Sequence, residues 1–517
     1  MQGWPIFLAA VAYVTMLFVV ASVGDGRARR SSAATPRPYI YALSLAIYCT
    51  SWTFFGSVGL ASQHGFDFLS IYIGPIIVFV FGFPLLKRLI RLVKAEKITS
   101  IADFLAARYG KSFAVASIAT IIATIGTIPY IALQLRSISG SVDLMVTHYH
   151  QAATSAFPLG DAAFSVAFML AVFAMLFGTR HADATEHQDG LVLAMAVESV
   201  VKLLAFLAVG VTVMFFLADR PTSLMDAIRE NENVQAALNY HTSITSWLVM
   251  TGLSAAAVIM LPRQFYIMIV ENRSESELRK AAWVFPLYLV AINIFVIPIA
   301  FAGLTRIGNA TSADLYVLAL PLAHNRDVIA MVAFIGGLSA ATAMVIVASV
   351  ALSIMISNDL VIPLFLRRLL RPELGDNEDW SKIIQTIRRA AIFVILFAGF
   401  LYHRGMPSDV GLVSIGLISF AAIGQFIPPF VGGLLWRGAN ARGAALGMIA
   451  GGIVWAYTLF IPSFLPHDTA FLLNGPFGIE ALKPQALFGT DTAALNHGVL
   501  WSLAINTVFY ILGSLSR

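Results

Sequence analysis

The stretch Tyr48–Gly59, YCTSWTFFGSVG, gathers the residue types most able to do chemistry in this chain. Tyr48, Thr50, Ser51, Thr53 and Ser57 bring hydroxyls, Cys49 a thiol, and Gly56 and Gly59 gaps in side-chain cover, all inside the apolar segment Tyr39–Ala61. Lipid offers no partner to a freed backbone group, so a helix opens in a membrane only where protein or a wet cavity satisfies it. A polar, glycine-punctuated segment of spanning length therefore points to a discontinuous helix lining a solute site near the midplane. The competing reading is an intact helix that packs small residues against its neighbours.

A second stretch repeats the theme. In Met250–Pro262, MTGLSAAAVIMLP, the residues Gly252, Ser254 and Pro262 interrupt an apolar run, and Ser254 marks the expected second break. Glu198 and Lys202 are the intramembrane charges, acid first at helical spacing, an order that favours a pair. They either neutralise each other and lock two helices, or supply a proton-relay carboxylate. Arg136 and Asp143 lie near the outer end of their span and are expected to snorkel. Arg263 follows Pro262, where a break would let it reach the cytoplasm. His181–Asp189, HADATEHQD, has metal-ligating types but reads first as a solvated loop. The chain has no Walker loop, nucleophile elbow or metal-spaced His/Cys cluster, so no enzyme, cofactor or metal is expected.

The elements that must position these residues follow from composition. The chain has 517 residues, 58% hydrophobic and 12% charged, where soluble domains carry about a quarter charged. It reads as an all-α polytopic membrane protein. The net charge of +5 sits in short loops, so it reports orientation rather than nucleic-acid binding. The lone Cys49 excludes an internal disulfide. Apolar stretches of about 20 residues give about thirteen spans, the tenth of them, Ala390–Tyr402, short. The first, Trp4–Val23, has its basic flank after it, the reverse of a secretory signal. Basic residues concentrate in alternate loops, such as Arg27–Arg37, Lys87–Lys111, Arg273–Lys280 and Arg367–Arg389, which sets the N-terminus outside and the C-terminus inside. The outer loops Asp219–Thr242 and Leu465–His497 are expected to hold short surface helices, and Arg371–Ser381 a polar inner linker. The chain stops at Arg517 directly after the last span, as a solitary transporter does and as a fragment of a longer protein would.

Two interrupted spans, five helices apart, fit an inverted five-helix repeat. The expected division is 1–38 as an extra helix and basic loop, 39–242 and 243–436 as the two repeats, and 437–517 as two peripheral helices.

Ser100–Ser112 (SIADFLAARYGKS), Phe177–Gly190 (FGTRHADATEHQDG) and Trp436–Gly452 (WRGANARGAALGMIAGG) resemble, in that order, junction motifs of the sodium/solute symporter family. Glu186 and Asp189 stand where the family loop usually has Asp and Gln. YCTSWTFFGSVGLASQHGFDFLSIYIGP and GGLSAATAMVIVASVALSIMISNDLVIP are similar to the membrane half of CbrA-type sensor kinases, which is associated with histidine uptake.

The resemblance implies a LeuT-type fold and a small-solute site on the core helices. It places Ser51, Trp52 and Thr53 at the first break, Tyr130 and Gln134 on the fourth span, and Ser254 at the second break. Trp52 and Tyr130 are of a kind to sandwich a planar group such as imidazole. The implied ion positions are Ala46 and Cys49, through their backbone oxygens, with Ala343 and Met344 where the family has two hydroxyls. Ala and Met offer a hard cation no oxygen, although a register slip would bring in Ser339 and Thr342. The expectation is a carrier for an amino acid, histidine first, coupled to protons rather than sodium. The alternative is a sensory input domain for a cytoplasmic kinase module. The expected partners are therefore the solute, a coupling ion and the lipid bilayer.

Overall fold

The computed structural model describes residues 3–30, 36–149, 162–178, 188–215, 229–364, 377–407, 410–466, 468–490 and 492–516. Among them every regular element is helical. Among the described residues, ten helices are long and apolar enough to cross a bilayer, and the bent pair Ile244–Met260 and Pro262–Val270 makes an eleventh. The chain is a multi-pass membrane protein.

The expected thirteen spans are redistributed for physical reasons. The Tyr39–Ala61 span is opened, its first half forming the shorter apolar helix Pro38–Tyr48 and its second half running into Trp52–Val80. The short tenth span is longer than expected: the apolar stretch is Ser381–Gly405, because Lys382, Arg388 and Arg389 continue the same helix towards the polar side. Glu232–Leu238 and Ala470–Asn474 supply surface helices in the two long loops. Residues 181–187 of the His-rich loop and 371–376 of the linker lie outside the described residues.

Burial separates core from rim. The apolar window of Asp327–Leu364 is 94% buried and that of Leu412–Leu435 is 89% buried, whereas Pro5–Gly26 and Ala494–Leu515 reach only 33% and 39%. The last two spans, Ala441–Phe464 and Ala494–Leu515, pack closely through small residues. A Cβ on Gly513 would lie 2.8 Å from the Gly443 Cα, the small-residue contact that brings membrane helices together.

Both breaks have local causes. Cys49 is extended (φ −79°, ψ 97°) between a 3-10 turn, Leu45–Tyr48, and the helical turn starting at Ser51. Leu261 (φ −58°, ψ 132°) precedes Pro262, whose ring disfavours helical backbone in the residue before it. The chain resumes at Pro262 as the first helical residue, where the missing N–H costs nothing. The two halves differ in direction by 51°.

One face of the bundle is tied by charge. Arg37 and Arg273 each reach Asp189 at 2.5 Å, and Glu277 accepts from the backbone N–H groups of Arg37 (2.8 Å) and Arg273 (2.7 Å). Burial pushes the Arg37 guanidinium down from its ordinary value, while Asp189 and Glu271 push it back up. The opposite face holds a vestibule of about 540 Å³ bordered by Gly59, Gln63, Asp67, Met250, Val413 and Leu417, among others.

Candidate functional site

The first break leaves backbone groups without helical partners, and two other helices and the break's own Thr50 supply them. Lys202 Nζ, from the helix Asp189–Phe215, donates to the carbonyl oxygens of Ala46 (2.7 Å) and Cys49 (2.6 Å). Gln134 Oε1, from Phe113–Tyr149, accepts from the Ser51 N–H at 3.2 Å. Thr50 Oγ1 accepts from the Trp52 N–H at 3.3 Å and lies 3.0 Å from the Tyr130 hydroxyl. Gln134 Nε2 in turn donates to the Tyr130 carbonyl at 3.2 Å.

Lys202 and Glu198 do not form the pair their spacing suggests. The ammonium goes instead to the two freed carbonyls, which sit at the negative end of a half-helix and attract a cation. Those carbonyls are the two backbone ion positions that the family resemblance implied. Glu198 Oε1 accepts from Thr342 Oγ1 at 2.6 Å, and Ser339 Oγ donates to the Glu198 carbonyl at 2.9 Å. Glu198 Oε2 has no hydrogen-bond partner among the described residues. Ser339 and Thr342 thus spend their hydroxyls on the Glu198 helix, and Ala343 and Met344 are buried apolar neighbours in the same turn.

Above this layer three rings meet. Trp52 and Phe420 have centroids 4.8 Å apart, Tyr130 and Phe420 are stacked at 5.8 Å, and Trp52 and Tyr130 stand 6.0 Å apart and tilted by 60°. Gly416 lets the indole in, since a Cβ there would lie 2.7 Å from Trp52 Cε3. The Trp52–Tyr130 pair expected to hold a planar group is here closed on a third ring, Phe420. Thr53 is buried beside Cys49 and Tyr72.

The second break lies at Leu261, not at Ser254. Ser254 Oγ donates to the carbonyls of Ser70 (3.1 Å) and Thr251 (2.9 Å). A Cβ on Gly74 would overlap it, so it sits in a tight helix contact. What the second break presents instead is Arg263 and Gln264, each 1% exposed. Arg263 does not reach the cytoplasm. Its guanidinium lies over the Tyr130 ring, 4.4 Å from the centroid. Neither residue's side-chain nitrogens or oxygen have hydrogen-bond partners among the described residues, and the same holds for Ser51 Oγ, Trp52 Nε1 and Ser419 Oγ. Gln264 and Phe420 escaped the sequence reading, and Arg263 was noted there as a charge reaching the cytoplasm, not as a site residue. The available signal was an Arg-Gln pair directly after a proline in mid-span.

No protein-family model matches the chain. Among curated proteins it is similar to an uncharacterized symporter, YodF, of Bacillus subtilis (strain 168), 22% identical over 78% of this chain and 75% of that one. It is also similar to the sodium/pantothenate symporter of Escherichia coli (strain K12), 29% identical over 23% of this chain and 25% of that one. Among solved structures it is similar to a Na+-coupled sialic acid symporter in a substrate-bound outward-open state, with a TM-score of 0.63 and 14% identity over 98% of both chains. The fold is of the LeuT type.

Proposed function

We propose that this chain carries a small organic solute across a bacterial cytoplasmic membrane by alternating access. The observation that carries the reading is the meeting of two opened helices around buried polar atoms that have no partner among the described residues: Ser51 Oγ, Trp52 Nε1 and the side chains of Arg263 and Gln264. Unpaired buried polar groups cost about 1–3 kcal/mol each, so such a cluster is retained where a solute completes it. The vestibule bordered by Met250, Val413 and Leu417 is the approach to it. In this reading residues 39–242 and 243–436 are the two inverted repeats, with 1–38 and 437–517 at the rim, and one helix bundle rocks against the other. An amino acid suits the site, with histidine as first candidate from the family resemblance.

For the coupling ion we favour the proton. The pantothenate and sialic acid symporters are named for sodium and YodF as a symporter, and these names support symport here. Against sodium stands the ammonium of Lys202 on the Ala46 and Cys49 carbonyls, together with the lack of side-chain oxygen at Ala343 and Met344. A hard cation would have to displace a charge-assisted pair of hydrogen bonds to enter.

Uptake of labelled histidine, and of the other amino acids, into proteoliposomes under imposed proton or sodium gradients tests this. Uptake that follows the proton gradient and ignores sodium is expected. Binding without uptake under either gradient would leave the sensory reading in its place.

A further inference from the structure

The central site contains a buried cation with no hydrogen-bond partner among the described residues. Arg263 heads the fully buried side chains, and Nε, Nη1 and Nη2 all lack a hydrogen-bond partner among the described residues. The face of the guanidinium is used by Tyr130, a cation–π contact that leaves its edges free. Those edges carry five N–H donors in a planar fork, and no acceptor. A buried cation without a partner is strongly unfavourable, so the arrangement calls for an anion.

The surroundings specify where that anion comes from. Within the layer beneath, the Glu198 carboxylate has Thr342 at 2.6 Å and faces the ammonium of Lys202 and the hydroxyl of Tyr13. Lys202 and Arg263 are both buried cations and repel each other, Glu198 faces Lys202, and no carboxylate faces Arg263 among the described residues, so the excess at Arg263 is positive. Ser51 starts the outer half of the first broken helix, and its N-terminal end favours negative charge. The Gln264 amide, next in the chain, has both its nitrogen and its oxygen unpaired.

We propose that Arg263 is the anchor for a carboxylate on the transported solute, bound edge-on and bidentate, so that the site selects organic acids and zwitterions and rejects amines and neutral amides. The proposal rests on the central cluster being the solute site. The Tyr130 ring fixes the fork from one side, and the carboxylate lies in the plane of the guanidinium, against Gln264 and the open turn at Ser51. A flat group on the same solute then packs against the touching Trp52–Phe420 pair. Lysine in place of Arg263 keeps the charge and loses the fork.

The test uses the full chain, purified in detergent, and reads melting temperature and equilibrium binding. The probes are the standard amino acids and short-chain monocarboxylic acids, each active one repeated as its primary amide and as the amine lacking the carboxyl group. Expected is stabilisation by one or more acids and none by the matching amide or amine. Arg263→Lys weakens acid binding about tenfold and Arg263→Gln about a hundredfold or more. Arg263→Gln in the ligand-free protein melts at the same or a higher temperature, because a buried unpaired charge has gone. A lower melting temperature with acid binding intact would make Arg263 a structural residue and overturn the proposal. So would equal binding of acid and amide, or no stabilisation by any acid. Uptake is measured in parallel: transport of a solute without a carboxylate defeats this proposal but not the carrier reading, whereas acid binding with no uptake defeats the carrier reading alone.

Discussion

The two opened helices have been finished in opposite ways. At the first, the freed carbonyls of Ala46 and Cys49 are already bound by Lys202, and the freed N–H of Ser51 by Gln134. At the second, Arg263 and Gln264 are left with unpaired donors and acceptors among the described residues. The cation position is filled by the protein's own side chain, and the anion position is left for something from outside. In the proposed carrier, the tethered ammonium of Lys202 takes the place of a bound metal cation, and solute specificity lies at the second break.

Removing the tether has the largest expected effect. Lys202→Met keeps the length and strips the charge, leaving two carbonyls and Glu198 without it. A loss of about 3–5 kcal/mol in stability is expected, read as a lower melting temperature, along with loss of uptake. Retention of both would mean that the first break is satisfied by other groups. Next in size, Thr342→Val deprives Glu198 of its 2.6 Å hydrogen bond and is expected to cost about 1.5–3 kcal/mol. An unchanged melting temperature there would detach Glu198 from the filled break. Trp52→Ala sharpens the other side: solute binding is expected to weaken by more than about tenfold, or roughly 1.4 kcal/mol, and unchanged affinity would remove the ring wall from the site. The smallest effect is assigned to Ser254→Ala, about 0.5–1.5 kcal/mol of stability with solute affinity unaltered. A large affinity loss would move the open break back towards Ser254.

The contrast between the breaks also marks what the sequence could and could not disclose. The first break was legible because a run of hydroxyls and glycines in an apolar span has few explanations. The second was placed at Ser254 from the family resemblance, in a run that Gly252, Ser254 and Pro262 interrupt, yet that serine belongs to a helix contact with Ser70, and the proline did the breaking. Glu198 and Lys202 looked like a pair because helical spacing is a local signal. Lys202 in fact reaches a backbone 156 and 153 residues away in sequence, a contact that no local pattern contains. Arg263 was expected to reach the cytoplasm through a break at Pro262. The break after Leu261 instead leaves it 1% exposed, facing inward. The span count suffered from the same cause, since an opened span does not register as one rod. The LeuT-type architecture, by contrast, was readable from the order of its junction motifs.

The most direct measurement is solute binding by the purified wild-type chain and by Lys202→Met, each with and without sodium. Wild-type affinity is predicted to be the same in both media, with sodium stabilising only the variant, whose Ala46 and Cys49 carbonyls are free to accept an ion. Sodium-enhanced binding by the wild type would contradict the account, because the place assigned to Lys202 would then belong to a metal ion.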